Sequence, residues 1–571
     1  MFLPTTKSEI DALGWDRLDV VLVSGDSYID SPHMGIALIG HILANAGYRV
    51  GIIAQPDVNG QDDITRLGEP RLFWGVSAGA VDSMVANYTA AKKPRSNDDY
   101  TPGGQNNRRP DRATLVYTNL IRRCYKGTVP IVLGGIESSL RRISHYDYWS
   151  NKIRGSILFD SKADYLLYGM ADRSVLQLAE AFDKGKDPAS IRGLAYKATS
   201  VPDSALILPS VAEVSADNRK FIEAYKVFYQ NNDPVTGRIL AQQHDTRYLI
   251  QNPPAKPLSQ PELDEIYALP FERAQHPYYE SQGKVKALET IRFSVTTHRG
   301  CYGECNFCAI AVHEGRTIQS RSETSILDEI KKITTLPDFK GYITDLGGPT
   351  ANMYGFECQK KRTQGACKDK RCIFPSACMM LRIDHHPVIS LLQKARKIPG
   401  VKKVFVASGI RYDMIQHDPG SGKQYIQELS EHHISGQLKV APEHDSPKVL
   451  ALMGKPGKAS LLRFKEDFDR INIKSGRKQF LTYYFIAAHP GCTVKDMTML
   501  KNFSENSLHL SPEQIQVLTP TPSTWSTLMY ATETDPFTME HIFVEKDMQL
   551  KQKQKDILLN KGQERPWKKR S

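Results

Sequence analysis

Long apolar runs are missing from this 571-residue chain. Nowhere do the roughly 20 consecutive apolar residues of a membrane-spanning helix occur, which argues against a membrane partner. Nor is a secretory leader expected. The start, MFLPTTKSEIDALGWDRLD, places acidic residues where such a leader would be apolar. Both absences lead us to expect a cytoplasmic protein. Cysteine is scarce, with nine residues at 124, 301, 305, 308, 358, 367, 372, 378 and 492. A secreted disulfide framework is small and cysteine-dense throughout, so it is excluded. In a reducing compartment, tight cysteine clusters point to metal instead. No short tandem repeat appears, which sets repeat arrays aside.

What is present is ample core. Apolar residues make up 40% and charged residues 24% of the chain, as in globular proteins. The length suits roughly three to four domains. The net charge of +12 is uneven: residues 546–571 hold nine Lys/Arg against three acids, half of the excess. Such a tail is either a solvated end or a contact for RNA or another polyanion.

The first part alternates short apolar runs with amphipathic stretches. VVLVSG (20–25), MGIALIGHILANAG (34–47) and YRVGIIAQ (48–55) read as strand, helix and strand. LFWGVSAG (72–79), VPIVLGGIE (129–137) and ADYLLYGM (163–170) continue the pattern of strands buried on both faces. A doubly wound sheet is expected over about residues 15–200. The polar insertion AKKPRSNDDYTPGGQNNRRPDRA (91–113) reads as a surface loop or as a lid over the strands' carboxyl ends. SSLRRISHYDYW (138–149) sets two arginines among aromatics, either to recognise a substrate anion or as a helix with a packed aromatic edge. Residues 201–286 read as a connector with helical segments, proline-punctuated toward its end. A second α/β unit starts at ETIRFSVTTHRG (289–300). Further strands are expected in GYITDLGG (341–348), VKKVFVASG (401–409), QLKVAPE (437–443), FLTYYFIAA (480–488) and IQVLTP (515–520). Repeated βα units of this spacing predict a complete or partial barrel.

HRGCYGECNFCAIAVHEGR places Cys301, Cys305 and Cys308 as C-x3-C-x2-C directly after a strand. Three thiolates on so short a loop can hold three irons of a cubane cluster and leave the fourth iron without a protein ligand. An open metal position is the mark of a catalytic site. Gly300 and Gly303 let the backbone wrap closely. The competing reading is a zinc knuckle, with His313 as fourth ligand.

This motif, with Phe307 before the last cysteine, resembles the radical S-adenosylmethionine (SAM) superfamily. The resemblance implies a 4Fe-4S cluster that cleaves SAM reductively to a 5′-deoxyadenosyl radical, with a reductase or flavodoxin-type electron donor. DLGGPTAN (345–352) is similar to the glycine pair whose backbone meets the SAM amino group, which gives that role to Gly347 and Gly348. SGIRYD (408–413) and APEHDSPKVLALMGKP (441–456) resemble strand ends that line the ribose and carboxylate; Ser408, Arg411 and Glu443 are the candidates. AAHPGCT (487–493) stands where the superfamily has an adenine-contacting strand end, but offers Ala488 and His489 in place of a glycine and an apolar residue. LPFERAQHP, RGCYGECNFCAIAVHEGRTIQSRS and GGIESSLRR resemble the YgiQ family, and the likeness spans most of residues 15–535. It implies an N-terminal flavodoxin- or cobalamin-domain-like α/β domain (1–200), the connector (201–286), a partial (β/α)6 TIM-like radical SAM core (287–540) and the basic C-terminal tail (541–571). The substrate, a small molecule or RNA, stays open.

MYGFECQKKRTQGACKDKRCIFPSACMM adds Cys358, Cys367, Cys372 and Cys378. Four thiolates in one basic loop are a candidate second metal site, zinc or a second iron–sulfur cluster, against free thiols on an exposed loop. A doubly wound domain before a radical SAM barrel resembles cobalamin-binding domains. DSPHMG (30–35), however, lacks the D-x-H-x-x-G spacing that supplies a cobalt ligand, so cobalamin is not the primary expectation and His33 reads as a polar loop residue. Two function classes result: a radical SAM enzyme, and a non-catalytic metal-containing RNA-binding or redox-sensing protein.

Overall fold

The computed structural model describes residues 1–510, 512 and 515–559. It has two α/β layers of chain joined face to loop. In the first, the strands Val50–Ala54, Val20–Ser24, Phe73–Ser77, Ile131–Leu133 and Tyr165–Leu167 lie side by side and parallel. Relative to chain order this is the flavodoxin-like arrangement 2-1-3-4-5, which puts a topological switch point between Val20–Ser24 and Phe73–Ser77. Every residue of VVLVS and VGIIA is buried, as the continuous apolar runs predict. Each fully buried Val or Ile contributes about 1.5–3 kcal/mol of apolar transfer. The helix Gly35–Asn45 packs on this sheet through Gly40, where a Cβ would lie 2.4 Å from Leu3 Cδ1.

The sheet does not stop near residue 200. Leu194–Ala198 joins antiparallel, and Arg247–Gln251, Leu240–His244 and Leu206–Leu208 extend the same sheet through what the sequence presents as a connector. A two-residue turn, with Asp245 at φ +51°, makes the hairpin ILAQQHDTRYLIQ. The insertion at 91–113 is fastened over the strands' carboxyl ends. Arg109, buried, pairs with Asp26 at 2.8 Å and Asp98 at 3.0 Å. The two arginines of SSLRR are core residues rather than anion readers. Arg141 pairs with buried Asp82, and Arg142 stacks between Tyr168 and Phe228 at 4.3 and 4.5 Å.

The second layer is an open parallel barrel. Ser294–Thr296 pairs with Asp345–Gly347, Tyr342–Ile343 with Lys403–Val404, Gln437–Glu443 with Phe480–Ala487, and the last with Ile515–Val517. A parallel bridge from Ile410 to Val440 links the middle. With Tyr342–Ile343 and Asp345–Gly347 taken as one interrupted strand, six strands follow one another in chain order, with the helices Glu323–Thr334, His386–Ala395, Lys458–Ser475 and Val494–Asn506 between them. This is the partial (β/α)6 barrel that the family resemblance implies; the strand spacing alone left a complete barrel open.

Helix Met548–Leu559 packs on the helix Val494–Asn506 and the strand Ile515–Val517. Up to Leu559, therefore, the basic C-terminal segment is docked structure rather than a solvated tail. Residues 560–571 lie outside the described residues. Among the described residues no helix is long and apolar enough to cross a membrane.

Candidate metal centre

The three-cysteine loop leaves the first barrel strand at Thr297. The Thr297 amide donates to the Gly347 carbonyl at 2.7 Å, so the Gly347–Gly348 strand end lies against the start of the loop. Gly300 takes φ +85°, and a Cβ there would lie 2.3 Å from the Thr317 carbonyl oxygen. Gly303 sits between two sulfurs: a Cβ would be 3.1 Å from Cys301 Sγ and 3.6 Å from Cys305 Sγ. The Gly303 amide donates to Cys301 Sγ at 3.3 Å, and the Thr350 hydroxyl stands 3.6 Å from the same sulfur. Burial pushes the Cys301 and Cys308 thiols up, and the crowding of neighbouring cysteines adds to it. Thiols so placed ionise readily only with a cationic core between them.

Among the described residues, no three His, Cys, Asp or Glu side chains converge closely enough to hold one metal ion. A single zinc needs ligands about 2.0–2.3 Å from one point. A cubane instead spreads its thiolates over separate corners. Cys301 and Cys305 flank Gly303, and Cys308 follows on the same turn, its amide donating to the Cys305 carbonyl at 3.0 Å.

The remaining candidates surround this loop. Arg411 is held bidentately by Asp413 at 2.8 and 2.6 Å, and its Nη1 lies 3.7 Å from Cys305 Sγ. It faces the sulfurs, where it offsets thiolate charge. The Ser408 hydroxyl is held by the Asp345 carboxylate, and Ser408 Oγ would lie 2.8 Å from a Cβ on Gly347. Gly348 abuts the His298 ring, with Cε1 2.6 Å from where a Cβ would stand. Glu443 is buried in a left-handed conformation, φ +68°, at a register shift in its strand. Burial raises its pKa, against the pull of Lys455, whose Nζ is 3.8 Å away. A strained, buried acid of this kind marks a functional strand end. The Phe307 ring meets the His489 ring edge-on at 6.4 Å, so the loop also reaches the AAHPGCT strand end.

A cavity of about 340 Å³ opens at the carboxyl ends of the first sheet. Ser24, Ser77 and Gly79 line it at the switch point, Gly134 and Gly135 after the next strand, and His313 and Glu314, just after Cys308, line it as well. Ligands of doubly wound folds bind in such a crevice. His33 lines the cavity too, but Ser31 and Thr296 take its two ring nitrogens at 3.3 Å each. Cys358, Cys367, Cys372 and Cys378 line a separate small cavity beside the cluster loop.

The sequence matches the radical SAM N-terminal family over residues 2–294. It is 58% identical over 565 residues to a UPF0313 protein of Fusobacterium nucleatum, covering 99% of this chain and 100% of that one. The chain belongs to the UPF0313 family. It is thus a radical SAM enzyme by family, and a UPF0313 protein of Thermotoga neapolitana is 50% identical over 572 residues, with 99% and 100% covered. Its fold is similar to that of the radical SAM methyltransferase TsrM from Kitasatospora setae, solved with cobalamin and a 4Fe-4S cluster bound. The TM-score is 0.51 at 15% identity, over 89% of this chain and 76% of that one.

Several residues that shape the UPF0313 site are silent in the sequence. Asp345, which orients Ser408, precedes the glycine pair by two positions and could have been suspected. Thr350 and His298 carry no spacing signal. Nor do Asp172 and Arg299, a buried pair at 3.0 and 2.9 Å that ties the start of the helix Asp172–Asp183 to the residue before Gly300.

Proposed function

We propose that Cys301, Cys305 and Cys308 hold a 4Fe-4S cluster at which SAM is cleaved, and that the substrate occupies the cavity at the carboxyl ends of the first sheet. When bound, the cluster supplies one electron to SAM, which separates into methionine and a 5′-deoxyadenosyl radical. The chain's own residues do the rest. Gly303 and Gly348 leave room where a side chain would intrude. Arg411 and Thr350 stand against the sulfurs. Glu443 and Lys455 put a buried opposite-charge pair at a strand end suited to the polar half of an amino-acid cofactor. His313 and Glu314 connect the loop to the cavity, so a radical formed at one opens onto the other.

One observation carries the reading: three cysteines share one short loop, and a Cβ on the glycine between the first two would press on both of their sulfurs. Anaerobic purification followed by iron analysis and assay of 5′-deoxyadenosine, with SAM and a strong reductant, tests it. Cys305→Ala is expected to abolish product while the far-ultraviolet circular dichroism stays unchanged. SAM cleavage that survives this substitution would overturn the reading.

A further inference from the structure

The segment from Cys358 to Cys378 wraps around a hollow. Cys358 precedes the helix Gln359–Gln364, and Gly365 at φ +82° ends it. The Ala366 amide is then tethered to Asp233 Oδ2 at 3.0 Å. The Cys378 amide donates to the Cys372 carbonyl at 2.8 Å, folding the end of the segment back. As a result all four cysteines line one cavity, and none is in a disulfide. Thiols left free on a surface loop have no reason to share a hollow.

We propose that Cys358, Cys367, Cys372 and Cys378 hold a second iron–sulfur cluster, closed on every corner by a cysteine. Four cysteines around one hollow supply the full set of thiolates that a cubane takes, one to each iron. The charge fits as well. Lys360, Lys361, Lys370 and Arg371 line the same cavity and offset the net negative charge that four thiolates give such a centre. Lys361 is buried, with its ammonium 5.0 Å above the Tyr302 ring. Arg371 donates to the Glu304 carbonyl at 2.9 Å and to Asn306 Oδ1 at 2.7 Å, the residues on either side of Cys305. Tyr302, Cys301, Cys358 and Cys372 belong to one apolar cluster. The second site is therefore built against the first, yet uses none of its ligands, and with four thiolates it keeps no open iron for SAM.

The full chain carrying Cys301→Ala, Cys305→Ala and Cys308→Ala, reconstituted anaerobically with iron and sulfide, isolates this site. It is expected to retain about four iron and four sulfide per chain and to show an electron paramagnetic resonance signal on reduction, against about eight of each in the unmodified chain. Less than about one iron, or about one zinc per chain in their place, overturns the proposal. If the triple variant does not fold, Cys372→Ser in the otherwise unmodified chain decides. Its iron content is expected to fall by about half, and unchanged iron overturns the proposal. Loss of 5′-deoxyadenosine formation bears only on the three-cysteine loop, so the two proposals fail separately.

Discussion

Gly303 stands where a methyl group would lie 3.1 Å from one cysteine sulfur and 3.6 Å from another. Gly303→Ala is expected to lower the rate of 5′-deoxyadenosine formation about tenfold, the equivalent of roughly 1.4 kcal/mol. An unchanged rate at equal iron content would show that the loop yields easily. Gly348→Ala would bring its Cβ to 2.6 Å from the His298 ring, away from the sulfurs. Here the expected effect is about tenfold weaker SAM binding by calorimetry, with iron content unaltered. At this scale the cysteines and glycines were readable because their chemistry depends on spacing within a few residues. Thr350, His298 and Arg371 were not readable. Thr350 and Arg371 reach the loop only once distant parts of the chain lie side by side, and His298, though next to the loop in sequence, shows its contact with Gly348 only in the fold.

The helix Met548–Leu559 shows how an element can hide. Its buried stripe is Lys551, Gln554 and Leu558, so two of three inward positions are polar and the run reads as a charged tail. The polar groups are satisfied inside. Gln554 accepts the Ala488 amide at 2.9 Å, and Lys551 donates to the Tyr530 hydroxyl at 2.8 Å. Burial, with help from Lys92, pushes the Lys551 pKa down to about 8 from 10.5. Between those values the unfolded chain binds more protons than the folded one, so stability rises with pH across that window. Below about 8 both states are protonated and the cost of the buried cation is present in full. Lys551→Met keeps the apolar stem and removes the charge. It is expected to raise the melting temperature at pH 7 by about 2 °C and to flatten the rise between pH 8 and 10. Melting curves across that range that still rise in the variant would assign the effect to another group. The strands of the first sheet, by contrast, were legible as apolar runs. The hairpin at 240–251 was missed because its first strand ends in the polar run Gln242–Gln243–His244 and its second is flanked by Arg247 and Gln251, so neither shows an apolar run or a clean alternation.

On the scale of the whole molecule, Asp172 and Arg299 join the two halves through a buried ion pair, Arg299 Nη1 donating to both carboxylate oxygens. Removing one partner leaves a buried charge uncompensated, at a cost of about 3–5 kcal/mol. Asp172→Asn is expected to lower thermal stability accordingly and to speed iron loss from the reconstituted protein. A change under about 1 kcal/mol would mean that the halves are held together elsewhere. The order of the two halves was legible, because βα periodicity survives at any length. Their mutual contact was not, because it depends on side chains 127 positions apart.

The segment near residue 525 sews the molecule together. Ser523 donates to the Leu140 carbonyl at 2.7 Å and accepts from the Tyr225 hydroxyl at 2.9 Å, and the Ser526 amide donates to the Asn306 carbonyl at 2.9 Å, inside the three-cysteine loop. A ribosome delivers Cys301 long before it delivers Ser526. During synthesis the cluster loop therefore waits, without its final buttress, while more than two hundred further residues emerge. Iron loading belongs at the close of translation, and a prematurely terminated chain that carries every cysteine of the motif still presents an unfinished cradle.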